Sequence, residues 1–123
     1  MEHKAEEGIL LFNTEKYFEA HEALEAVWLH ARGDEKRFLH GLIQVAAAFH
    51  HHSRGNLDGF QSLLEKGMTK LDSFGASHGG INLASLREQI RPWRALLLTS
   101  PQPPPTVPPI PHIEFVQSRR GQT

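Results

Sequence analysis

The residues best suited to chemistry lie in two otherwise apolar stretches. One is His21-Glu22-Ala23-Leu24-Glu25-Ala26-Val27-Trp28. The other runs from Gly41-Leu42-Ile43-Gln44 through three alanines to His50-His51-His52, ending at Arg54-Gly55-Asn56. Burying a carboxylate or imidazole is costly unless the group is paired, hydrogen-bonded or bound to a metal. Side chains placed this way form either a satisfied network or a site. On a helix, His21 and Glu25 are i,i+4 neighbours whose heads can meet. Joined by one of His50, His51 or His52 from a facing helix, they would offer imidazole and carboxylate to a divalent metal. The candidate metal ligands are therefore His21, Glu25 and His51, with Glu22 as the base for a metal-activated water. The same groups could instead serve as an acid–base pair. A wider polar cluster of His21, Glu25, Trp28, Gln44, His51 and Asn56 would bind a small ligand, or would be purely structural and fix how the helices pair. Both readings require His21 and Glu25 to be largely buried and in contact or sharing one partner.

Two simpler readings fail. Glu25 stands where the zinc-protease pattern H-E-x-x-H needs its second histidine, which counts against that class. Three consecutive histidines fan out by about 100° each on a helix and cannot all serve one ion.

The elements that must position these groups read as helices. A short opening helix near Glu6 to Phe12 is followed by Asn13-Thr14, suited to capping the next helix. Tyr17, Ala20, Leu24, Val27, Trp28 and Ala31 then recur on one face. Gly33 should end that helix and Asp34 cap a third, running to about Ser53 and apolar on nearly every side, the expected centre of the core. His40, Gln44 and His51 form a narrow polar stripe on it. Gly41, Ala47 and Ala48 border the stripe and would let another helix approach. Gly55 suits a left-handed stop, and Asn56 a cap for a fourth helix with Leu57, Phe60, Leu64, Leu71 and Phe74. A Gly/Ser/His/Asn loop from Gly75 to Asn82 leads to a fifth helix (Leu83, Leu86, Ile90, Trp93, Leu97), kinked or split at Pro92. No β-period segment and no repeat is visible. The fold expected is all-α, a compact bundle of four to five helices over residues 1–100. An extended proline-rich arm would follow over 101–123, docking through Ile110, Ile113, Phe115 and Val116 on the bundle or on a second subunit.

Composition narrows the class. The chain has 123 residues, 39% hydrophobic and 22% charged, with a formal net charge of -1. That balance fits one soluble domain and offers no global attraction to nucleic acid or to an anionic membrane. No apolar run approaches the roughly 18–20 residues of a membrane span. The absence of cysteine excludes disulfides and thiolate chemistry, and with an acidic N-terminus lacking a secretory layout it points to the cytoplasm. Arg87, Arg91 and Arg94 align on the fifth helix; such a stripe could hold an anion, but more commonly pairs with nearby carboxylates.

Phe12-Asn13, Tyr17 to Glu22, Glu25, Trp28, Gly41 to Gln44, Ala46-Ala47, His51 and Gly55-Asn56 together resemble a family of small all-helical prokaryotic proteins of unknown function. The resemblance covers roughly residues 6 to 74. It implies a compact helical domain and no established activity. His21, Glu22, Glu25, Trp28, Gln44, His51 and Asn56 match its pattern; the arginine stripe and the proline arm do not. The functional expectation is a helical domain whose His/Glu cluster takes a small ligand or a divalent metal. The alternatives are a protein-interaction module, homo-oligomers included, and a metal-dependent hydrolase.

Overall fold

The computed structural model describes residues 3–99 and 108–116. Its elements are α1 (His3–Asn13), α2 (Tyr17–Trp28), α3 (Gly33–Ser53), α4 (Leu57–Leu71), β1 (Ser77–His78), β2 (Ile81–Asn82) and α5 (Leu83–Thr99). The fold is all-α apart from that short hairpin, and no helix among the described residues is long and apolar enough to cross a membrane. The axis of the core is α3, because it lacks a broad polar face. Phe38, Leu39, Leu42, Ile43, Val45, Ala46, Ala48 and Phe49 are all buried on it. Phe49 meets Phe12, Phe60 and Trp93 edge-on at 6.1, 5.2 and 5.2 Å, tying α1, α4 and α5 to one ring.

Glycine sets two helix contacts. A Cβ on Gly8 would lie 2.6 Å from Leu24 Cγ, so α1 and α2 meet there. On α3 a Cβ at Gly41 would come within 2.8 Å of Leu71, and one at Gly67 on α4 within 2.8 Å of the Gly41 carbonyl oxygen. The two helices therefore touch backbone to backbone. Their connection is the one expected: Gly55 adopts a left-handed φ of 80°, and Asn56 Oδ1 accepts from Gly59 N at 2.9 Å as the α4 cap.

The other caps differ from expectation. Neither Asn13 nor Asp34 caps a helix; Lys16 and Arg32 hold those positions without a side-chain bond. The Asn13 amide is taken instead by Ile113, donating to its carbonyl at 2.9 Å and accepting from its N–H at 2.7 Å. α5 continues unbroken through Pro92.

The stretch read as a loop contains a two-stranded antiparallel hairpin. Gly79 and Gly80 both take positive φ, as a tight two-residue turn requires. The residues 108–116 then run extended beside it. Asn82 N donates to Glu114 O and Val116 N to Gly80 O, both at 2.8 Å. Gln89 exchanges two bonds with the His112 backbone, and Trp93 Nε1 donates to Pro109 O. Ile113 is buried and Ile110 packs on the core, whereas Phe115 and Val116 stay exposed, so two of the four expected apolar groups dock on the bundle itself. The proline-dense stretch through residue 107, and the boundary drawn at residue 100, lie outside the described residues.

Candidate functional site

The core contains no buried polar or charged residue among those described. Polar side chains gather instead around a cleft of about 230 Å³ between α2, α3 and α4, lined by His21, Glu25, Trp28, His40, Ile43, Gln44, Ala47 and Leu63. The sequence places them through two registers. On α2 the buried stripe is Tyr17, Ala20 and Leu24; His21 and Glu25 follow one position later along its edge, and Trp28 lies one turn beyond Leu24. On α3, His40, Gln44 and Ala47 lie at i, i+4, i+7, adjoining the face that Gly41 presents to α4.

Trp28 forms an aromatic wall. Its ring centroid lies 5.6 Å from that of His40, and Lys36 Nζ sits 4.4 Å from it in a cation–π contact. Gln44 Oε1 accepts from Lys70 Nζ at 2.8 Å, bringing α4 to the cleft's edge. Burial, then the charge of Lys70, holds the His40 imidazole below its ordinary pKa, favouring the neutral ring. The His21 ring lies 6.1 Å from Phe18 in a stacked arrangement, and its Nδ1 is buried with no hydrogen-bond partner.

Several expected placements change. The buried His21–Glu25 pair does not form: Glu25 is exposed at the cleft's rim and His21 is half-buried. The reason is helical phase, since Glu25 follows the fully buried Leu24 and is turned about 100° from it. Glu22 is exposed and does not line the cleft. His51 lies at the α3–α4 turn, where Asn56 Nδ2 donates to its Nδ1 at 3.1 Å. With Asn56 Oδ1 already accepting from Gly59, the amide can only donate here, so His51 carries its proton on Nε2. His21, Glu25 and His51 therefore do not converge, and among the described residues no three His, Asp or Glu side chains are placed to hold a metal ion.

His50 rests on Phe18 at 5.4 Å, and His52 packs at 5.0 Å on both Phe60 and Trp93. Lys70 was not legible as a site residue, because nothing in the α4 sequence marks which of its lysines faces Gln44. His40 carried a signal: it shares the polar stripe with Gln44.

The arginine stripe is structural. Arg87 donates to Asp72 and to the carbonyls of Leu71, Phe74 and Gly75, closing the C-terminal end of α4. Arg94 grips Glu65 through two bonds at 2.9 and 3.0 Å and reaches Asp72, while Arg91 pairs with Glu88.

Residues 5–63 match the model of a family described as a domain of unknown function, DUF309. The chain is similar to an uncharacterised protein of Aquifex aeolicus (strain VF5), 31% identical over 77 residues, covering 62% of this chain and 23% of that protein. It is also similar to the uncharacterised protein YpuF of Bacillus subtilis (strain 168), 34% identical over 87 residues, covering 63% of this chain and 50% of that protein. The chain thus spans half or less of the length of these relatives. Together the matches support a family of helical domains of unknown function, and the matched segment carries every cleft residue from His21 to Leu63.

Proposed function

We propose that this chain is a small-molecule-binding helical domain whose ligand enters the cleft between α2, α3 and α4. One observation carries this reading. In a bundle with no buried polar or charged residue among those described, two imidazoles, an amide and a carboxylate gather at one concavity beside an indole. A few convergent polar groups against an aromatic wall is the usual make-up of a ligand site. The volume is small, equal to on the order of eight waters' share of liquid, so the ligand is compact. The protein would act in the cytoplasm, since a chain without cysteine forms no disulfide and gains nothing from an oxidising compartment. Metal-assisted hydrolysis fits less well, because His51 lies with Asn56 at the α3–α4 turn and not in the cleft that His21 and Glu25 line.

The test is a fragment screen read by proton–nitrogen correlation spectra of the indole and imidazole groups. Binders should move the Trp28 indole together with the His21 or His40 ring signals. His21→Ala and Gln44→Ala should weaken them, while Glu22→Ala should leave them unchanged. Binders that move none of these signals, or bind equally well to both cleft variants, would overturn the reading.

A further inference from the structure

Gln44, at the edge of the cleft, meets Lys70, and Arg37 and Lys66 lie near that ammonium. Arg37, His40 and Gln44 lie at i, i+3, i+7 on α3, and Leu63, Lys66 and Lys70 repeat that spacing on α4. The Gly41–Gly67 contact brings the two helices together alongside these rows. Among the described residues, every ion pair lies elsewhere: His78–Glu35, Arg87–Asp72, Arg91–Glu88, Arg94–Glu65 and Arg94–Asp72. Arg37 donates only to the Ser73 hydroxyl, at 3.3 Å, and Lys70 to the neutral Gln44 amide. The charges are close enough to act on each other. Burial, then Arg37 and Lys66, holds the Lys70 ammonium below its ordinary pKa. Arg87 and Arg94, half-buried like Lys70, are each matched by a carboxylate, whereas Lys70 meets only the neutral Gln44 amide and lies within the electrostatic reach of two further cations.

The second concavity, about 480 Å³ around Arg87, Arg91 and Arg94, provides the contrast. Its three arginines meet three carboxylates, Asp72, Glu88 and Glu65, and carry no net charge.

Building on the cleft reading above, we propose that the site takes a phosphate monoester, its phosphate held by Lys66, Lys70 and Arg37 beside His40 and its organic part lying on Trp28. Three neighbouring cations are better balanced by a dianion than by a single carboxylate. Lysine and arginine both suit phosphate oxygens. Gln44 then serves as a positioning residue, holding Lys70 at the cleft's edge.

The experiment titrates full-length protein with phenyl phosphate, benzoate and phenol by calorimetry, with the Trp28 indole and His40 ring followed by NMR. Phenyl phosphate should bind roughly tenfold or more tightly than phenol, with benzoate between, and raised salt should weaken the anions alone. Lys70→Gln should weaken phenyl phosphate by roughly tenfold and Lys70→Arg much less, while Arg91→Gln should have no effect. Circular dichroism confirms that each variant is folded. If phenol binds at the cleft as tightly as phenyl phosphate, the phosphate assignment is wrong and the cleft reading survives. Benzoate binding as tightly as phenyl phosphate overturns the dianion preference. If no probe moves Trp28 or His40, both readings fall.

Discussion

The contact between Gly41 and Gly67 sets the distance between α3 and α4, so adding one methyl group there tests the packing that builds the site. A Cβ on Gly67 would lie 2.8 Å from the Gly41 carbonyl oxygen, 3.0 Å from Val45 Cγ2 and 3.1 Å from Val45 N. Two of those atoms belong to the α3 backbone and cannot swing aside as a side-chain tip does. Gly67→Ala must therefore push the helices apart. Overpacking of this kind costs about 1–3 kcal/mol, and the better helix propensity of alanine returns about 1 kcal/mol. The net expectation is a loss of about 1 kcal/mol, or roughly 3–6 °C in Tm for a domain of this size. At Gly41 the nearest obstacles are the Leu71 side-chain carbons at 2.8 and 2.9 Å, which can rotate, so Gly41→Ala should cost less. Urea unfolding followed by circular dichroism measures both. The Lys70–Gln44 bond bridges the same two helices and should lengthen, shifting the Gln44 amide signals. A Gly67→Ala protein stabilised by the full propensity gain would refute the backbone contact.

Three further outcomes follow from particular contacts. Asn56→Ala removes the α4 cap and the donor to His51 and should cost about 1 kcal/mol in urea unfolding, with Asn56→Asp keeping most of the cap. Ile113→Ala empties a buried site on the extended C-terminal segment and should cost about 2–5 kcal/mol, and truncation after Ser100 should be worse still; equal melting temperatures would make 108–116 a passive tail. His52 is held below its ordinary pKa of 6.5 by burial, so the unfolded chain binds its proton first. Stability from this group is complete above about pH 6.5 and falls as pH drops through that value toward the lower folded pKa. His52→Phe, which fits the ring cluster of Phe49, Phe60 and Trp93, should flatten the decline between pH 7.5 and 5.5. His40, lowered in the same direction, leaves a residual slope.

The helices were legible because their information is local. The apolar periodicity of α2 and α4, the unbroken apolar surface of α3, and Gly55-Asn56 as stop and cap all act within a few residues of themselves. What was missed depends on distant partners. Asn13 has the right chemistry to cap α2, but its amide matches the Ile113 backbone, 100 residues away, at both donor and acceptor. Competing bonds of that range have no local signature. The hairpin did have one: two glycines between Ser77-His78 and Ile81-Asn82 are a turn signal. Two-residue strands are too short to show alternation, and β2 is completed only by 114–116.

The site shows the same division at finer scale. Sequence pointed to His21, Glu25, Trp28 and Gln44, and all four line one cleft, because each lies within one turn of a strongly apolar stripe. The depth of each was not readable, since a single 100° step separates a fully buried Leu24 from an exposed Glu25. That step moves the carboxylate from core to rim and removes the reason for a buried ion pair or a metal. It leaves the carboxylate at the cleft's rim, open to solvent. Lys70, the cation that reaches Gln44, comes from the opposite helix, in a register set by two glycines that carry no charge. Such a surface follows from how closely two backbones approach, and Gly41 with Gly67 is where that closeness is encoded.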